Sequence, residues 1–228
     1  LEPELDCLFH DDSYAYRRFK AAHDAVGKAR QRCWRYDWVL DLDIKGFFDN
    51  IPHDLMMRAV RKHTQEKWVV LYTERWLKAP AQDEQGNQTP RDKGTPQGGV
   101  ISPLLANIYL HEVLDTWFER EVQPHLTGQA FLIRYADDFV ITGGSQELLR
   151  DKVLPAVGAF LRGRGLVLSE EKTRITPIER GFDFLGQNLR KYKGKLVSSE
   201  LLAGTDFGIQ NAISQFGGMG VSVTGGDL

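Results

Sequence analysis

Ile133-Arg134-Tyr135-Ala136-Asp137-Asp138-Phe139-Val140 decides how this chain is read. Phe131 to Tyr135 and Phe139 to Thr142 are rich in aromatic and β-branched residues, so each reads as a strand. The link between them is too short for anything but a tight hairpin, and Asp tolerates the unusual backbone angles of such a turn. Two carboxylates then stand side by side at a rigid tip, with Arg134 as the only charged neighbour in sequence. Adjacent like charges repel unless a cation lies between them. Hard oxygen donors suit magnesium or manganese. An isolated Asp-Asp pair is more often a solvated turn. A further carboxylate in a comparable strand changes that balance.

Trp38-Val39-Leu40-Asp41-Leu42-Asp43-Ile44 supplies it. Leu40, Leu42 and Ile44 alternate with Asp41 and Asp43, the period of a strand with one apolar face. Acids on the opposite face are costly unless they are exposed or bind something, so this strand is expected to line a cleft. Asp43 lies one residue from the end of the alternation, where the carbonyl of its neighbour Ile44 could also reach a metal. Gly46 permits a sharp turn, Phe47 and Phe48 add bulk at the cleft floor, and Asp49 and Asn50 read as cap and turn residues.

Gly94-Thr95-Pro96-Gln97-Gly98-Gly99 is rich in residues that let a backbone come close to a ligand. Ser102 then Pro103 reads as a helix start, hydroxyl cap followed by Pro, and Leu104 to Phe118 as its apolar face. Two amphipathic helices, after Pro52 and over Trp68 to Leu77, read as structural, as do the lone residues His53 and His63. Ser13 to Phe19 opens a helical pattern in which aromatics alternate with arginines, a combination suited to stacking on bases and contacting phosphates. A helix follows around Ser145 to Leu161, expected to break or start at Pro155, then short strands near Leu166, Arg174 and Phe182. From Leu201 the chain is Gly-rich and aperiodic.

The chain has 228 residues, 42% hydrophobic and 26% charged, an ordinary globular balance. No run approaches the ~18 apolar residues of a membrane span. The acidic start, Leu1-Glu2-Pro3-Glu4, is unlike a signal peptide and carries no initiating Met, as expected of a chain that begins inside a domain. Cys7 and Cys33 form no disulfide framework, are expected to be small buried hydrophobes, and suit a reducing cytoplasm. Net charge is −2, which argues against bulk attraction to nucleic acid, yet Arg17 to Arg35 and Arg190 to Lys195 are locally basic.

Three long motifs together carry a resemblance. Asp43-Ile44-Lys45-Gly46-Phe47-Phe48-Asp49-Asn50-Ile51-Pro52-His53, Gly94 through Leu110, and Arg134-Tyr135-Ala136-Asp137-Asp138-Phe139-Val140-Ile141 resemble the central motifs of reverse transcriptases, most of all the group II intron-encoded, maturase-type enzymes. The resemblance spans residues 10–196. It implies an α+β fold: a right-hand polymerase palm, an antiparallel sheet with helices packed on one face, plus partial fingers. The order of the elements by itself suggests the same sheet with its other face open to a long substrate. Residues 1–37 correspond to partial fingers and 38–190 to palm, with 55–93 toward the fingers; 191–228 form a Gly-rich tail with no recognisable thumb.

The resemblance also assigns roles. Asp43, Asp137 and Asp138 correspond to the catalytic aspartates, holding two Mg2+ ions (Mn2+ as substitute) together with Ile44. Lys172 corresponds to the lysine that protonates pyrophosphate. Ile44, Phe47, Phe48, Pro96, Gln97 and Gly98 fall at the nucleotide site, with Phe48 at the steric gate against a ribose 2′-OH and Phe47 as fallback. Tyr14, Arg17 and Arg18 correspond to template contacts, and Phe184, Leu185 and Gly186 to the primer grip. The implied partners are an RNA template, a DNA or RNA primer, dNTPs and intron RNA, with no membrane. The alternatives are an inactive fragment or RNA-binding splicing cofactor, and a retron, diversity-generating or defence-type enzyme.

Overall fold

The computed structural model describes residues 2–82, 88–95 and 99–200. In chain order they form α1 (Glu2–Asp6), α2 (Ala22–Cys33), β1 (Trp38–Asp43), α3 (Phe47–Asn50), α4 (His53–His63), α5 (Lys67–Lys78), β2 (Ala81–Gln82) and β3 (Gln88–Thr89). Then come α6 (Ser102–Leu110), which runs on through π-helical turns to Val122, and the hairpin strands β4 (Ala130–Tyr135) and β5 (Asp138–Gly143). The remainder is α7 (Gln146–Leu148), which continues through a π-turn into α8 (Leu154–Arg162), and β6 (Arg174–Pro177), β7 (Phe182–Phe184), β8 (Gln187–Tyr192) and β9 (Lys195–Glu200).

The central sheet is antiparallel, in the order β4-β5-β1-β6. Alternation along β1 divides its side chains. Leu40 and Leu42 join Leu132, Phe139 and Ile141 in a core completed by α4, α5, α6 and α8. Val39 joins Ile133 and Val140 on the other face, where α2 and the three-stranded sheet β7-β8-β9 cover them. That face is therefore not open throughout, contrary to the expectation from element order. Its apolar half is covered, and only the end carrying the acids is left as a groove, because a strand burying Val39 needs a partner there as well.

Other differences have local causes. Residues 13–20 are not helical: Ser13 pairs with Arg134 at the edge of β4, and Tyr16 and Phe19 take positive φ (54° and 59°). Ser102 is the first residue of α6 and Ile101 occupies the cap position, so Pro103 lies one place later than expected. Leu168 makes a single antiparallel bridge to Ile44 in place of a strand. The segment read as tail from 191 onward begins with β9, whose Leu196 is buried beneath α2. Cys33 is buried as expected, but Cys7 is exposed. Among the described residues no helix is long and apolar enough to cross a membrane.

Candidate active site

β1 and β5 are paired so that Asp43 lies directly opposite Asp138, with Asp41 opposite Val140. Directly opposed residues of an antiparallel pair share a face and lie about 5 Å apart. Register alone thus brings together two carboxylates far apart in sequence. Asp137 occupies the two-residue turn before Asp138. The left-handed angle of that turn falls on Ala136 (φ 55°), at the position where such hairpins ordinarily use glycine, and on neither aspartate.

Burial pushes the Asp137 and Asp138 carboxyls above their ordinary range; Asp43 raises both further, as does Asp137 for Asp138. The ammonium of Lys172 lies 3.1 Å from Asp43 Oδ1. The hydrogen bond to Asp43, then its charge, raises the lysine's affinity for its proton. Among the described residues no three His, Cys, Asp or Glu side chains close on one point as a finished metal cage. The donor chemistry nevertheless fits a hard divalent ion: oxygens only, mutually repelling, with one lysine as counter-charge. The Ile44 side chain is buried in the core. Its carbonyl is not spent in the bridge to Leu168, whose two bonds run from Lys45 N to Val167 O and from Ser169 N to Asp43 O.

A groove of about 350 Å³ opens beside these residues, lined by Asp41, Asp43, Asp138, Lys172, Phe184 and Leu185 among others. Phe184-Leu185-Gly186 reaches it as the turn of the β7–β8 hairpin, with positive φ at Leu185 (51°) and Gly186 (76°). Sequence reading gave no role to Glu171, Arg174 or Asp183, which also line the groove. The strand alternation was the available signal for Arg174, since it sits opposite Asp41. Asp137 is not among the lining residues.

Asp41 is pushed up to about 6, first by burial and then by the Asp138 charge. A carboxyl that holds its proton more tightly when folded contributes stability below about pH 4, which is lost as pH rises through about 6. The shift of roughly two units corresponds to about 3 kcal/mol, reduced to about 1–2 kcal/mol for a partly exposed group. Asp41→Asn is therefore expected to raise the unfolding temperature at pH 8 by roughly 2–8 °C and to change nothing at pH 3.5. Thermal unfolding at both pH values checks this.

Phe47 is 1% exposed and belongs to the large core, whereas Phe48 packs only partly against it. The fallback position Phe47 thus cannot reach a sugar without leaving the core. Two of the expected template contacts are also corrected. Tyr14 is buried, its hydroxyl directed at Asp12. Arg17 is spent on Asp6 and on the carbonyls of His10 and Ser13. Tyr16, Arg18 and Phe19 are exposed instead, in a segment with positive φ at Tyr16 and Phe19. Much of the basic cluster serves the fold in the same way, with Lys28 and Arg32 on Asp12 and Lys191 on Asp37. Pro96, Gln97 and Gly98 lie outside the described residues.

An antiparallel sheet with helices beneath it and carboxylates opposed across neighbouring strands defines the class: a polymerase palm. The chain belongs to the family described as reverse transcriptase (RNA-dependent DNA polymerase), which matches residues 1–189. It is 30% identical over 230 residues to protein YkfC of Escherichia coli, covering 86% of this chain and 59% of that protein. It is 27% identical over 283 residues to the group II intron-encoded protein LtrA of Lactococcus lactis, covering 95% of this chain and 47% of LtrA. The chain thus spans about half the length of these relatives. The fold is shared with telomerase from Candida albicans in complex with a TWJ fragment of telomeric RNA, at a TM-score of 0.62 and 14% identity, over 94% of this chain and 40% of that one.

Proposed function

We infer that this chain carries the palm of an RNA-directed DNA polymerase that extends a primer 3′-OH with dNTPs along an RNA template, in the service of a group II intron. The observation that carries this reading is the register that sets Asp43 against Asp138. Two divalent ions, magnesium with manganese as substitute, would be held by Asp43, Asp137, Asp138 and the Ile44 carbonyl, supplying activation of the attacking hydroxyl and charge neutralisation at the leaving pyrophosphate. The chain's own groups do the rest. Lys172 offers an ammonium beside Asp43, from which a proton can pass to the leaving pyrophosphate. Phe184 and Leu185 border the groove where a primer end would lie, and Gly186 completes their turn. Phe48 would floor the sugar pocket, and Thr95, whose N–H donates to the Phe48 carbonyl, leads in sequence into the motif of Pro96, Gln97 and Gly98. Exposed Arg18, Tyr16 and Phe19 are better placed than Tyr14 or Arg17 to meet a template. Residues 38–190 form the palm in this reading, with 1–37 and 55–93 toward the fingers, in a cytoplasmic protein.

Magnesium-dependent primer extension on an RNA template, with the full gene product and with these 228 residues in parallel, tests the reading. RNA binding without extension by the full product favours the splicing-cofactor alternative. Sugar choice gives a finer test. Phe48→Ala is expected to raise ribonucleotide incorporation by about 10–100-fold, the loss of a 1–3 kcal/mol steric contact. Phe47→Ala is expected to cost about 3–5 kcal/mol of stability through a core cavity. Single-nucleotide insertion kinetics with dNTP and rNTP separate the two. Unchanged discrimination in Phe48→Ala removes it from the gate.

A further inference from the structure

Arg134 is the charged sequence neighbour of Asp137 and Asp138. The pleat sends it the other way, onto the helix side of the sheet, where it is fully buried. All five of its side-chain donors are used. Nε and Nη2 bind the Asp115 carboxylate at 2.8 and 2.7 Å, and Nη2 also meets Ser13 Oγ at 2.7 Å. Nη1 meets Asn107 Oδ1 at 3.1 Å and the carbonyl of Ala136 at 2.9 Å. Asp115 is itself 2% exposed and closes a π-helical turn, an irregularity often kept where a side chain must be aimed. Asn107 also donates to Ala15 O at 2.8 Å.

A buried ion pair is weak evidence for stability, because apolar residues of similar volume often serve as well. An apolar residue cannot, however, donate to the Ala136 carbonyl. That carbonyl belongs to the peptide joining Ala136, held at positive φ, to Asp137. We propose that Arg134, aimed by Asp115 and Asn107, is a positioning residue that locks the Ala136–Asp137 peptide and so sets the direction of the two aspartates. This deepens the metal reading of the site and rests on it. It also gives Asn107, from the second motif, a task at the third.

Arg134→Met alone leaves Asp115 buried without its partner and is expected to unfold the chain. The informative protein is the double variant Arg134→Met with Asp115→Leu, which removes both charges. It is expected to fold, with cooperative unfolding and wild-type amide exchange in β1. Exchange from Ala136 to Phe139 should quicken by at least tenfold, and Mn2+ affinity measured by titration calorimetry should fall by at least tenfold. Wild-type values for both in a folded double variant overturn the proposal. If the double variant does not fold, Arg134→Lys, which keeps the charge but not the fork, carries the same two measurements; failure of both to fold also overturns it. A wild-type chain that binds no Mn2+ defeats the metal reading instead, and the exchange result still decides whether Arg134 holds the turn.

Discussion

Replacing Asp137 by asparagine is expected to cut primer extension by about 10³-fold or more and to leave the fold intact. A loss of that size corresponds to about 4 kcal/mol of transition-state stabilisation, within what a metal-held phosphoryl group receives. The substitution keeps shape and removes one charge. It also removes the cost of burying that charge beside Asp43. The sign follows from the raised carboxyl: ionisation above its ordinary range works against the folded state, so the asparagine variant should unfold at an equal or higher temperature at pH 8. Below pH 3.5, where both proteins are neutral at this position, the difference should vanish. Lower activity with greater stability is the mark of a group kept for function. Adding magnesium at pH 8 should raise the unfolding temperature of the wild type more than that of the variant. Steady-state extension and thermal unfolding of the same two proteins check all of this, and retained extension removes Asp137 from the reaction.

The parts of the site legible in the sequence are those fixed by local periodicity. Alternation at Leu40-Asp41-Leu42-Asp43 placed the acids on one face of a strand, and the apolar runs flanking Ala136-Asp137 placed a hairpin; both elements are present. What periodicity could not carry was pairing between distant segments. Ser13 to Lys20 has the aromatic and basic content of an amphipathic helix, yet Ser13 is committed to Arg134, far along the chain. The same commitment turns Arg17 inward and uses up much of the basic cluster, so charge counted along the sequence overstated what is left for phosphates. Arg134 shows the complementary limit. It is the charged neighbour of the aspartates in sequence, but adjacent strand residues point to opposite faces, so its side chain is on the helix side and only its charge is felt at Asp137. Its partner Asp115 carried no sequence signal, because a lone acid on an apolar helix face looks like any other until the opposite sheet is in place.

The Gly-rich loop shows the same limit and supports the second large prediction, which concerns Gly94. Glycines there were expected to admit a ligand. Gly94 instead admits the chain's own backbone: a Cβ at this position would lie 2.8 Å from both Phe48 O and Asp49 O. Its φ of +80° is a further obstacle to any L side chain. The loop is bound at this point by Gly94 N to Ile51 O and Thr95 N to Phe48 O, both 2.7 Å, and His53 Nε2 lies 2.7 Å from Gly94 O. Neither carbonyl can swing aside as a side chain would, because both belong to α3 and the turn after it. Gly94→Ala must therefore break these bonds or move α3, and is expected to cost about 3–5 kcal/mol, much of the stability of an ordinary domain. Gly186 provides the control. It has a similar φ of +76°, but a Cβ there meets nothing within 4 Å. Gly186→Ala should pay only for the left-handed backbone, about 1–2 kcal/mol. Denaturant unfolding of the two variants side by side isolates the close approach from the backbone angle. If Gly94→Ala is no less stable than Gly186→Ala, α3 is not docked on this loop, and the proposed role of Phe48 at the sugar loses its structural support.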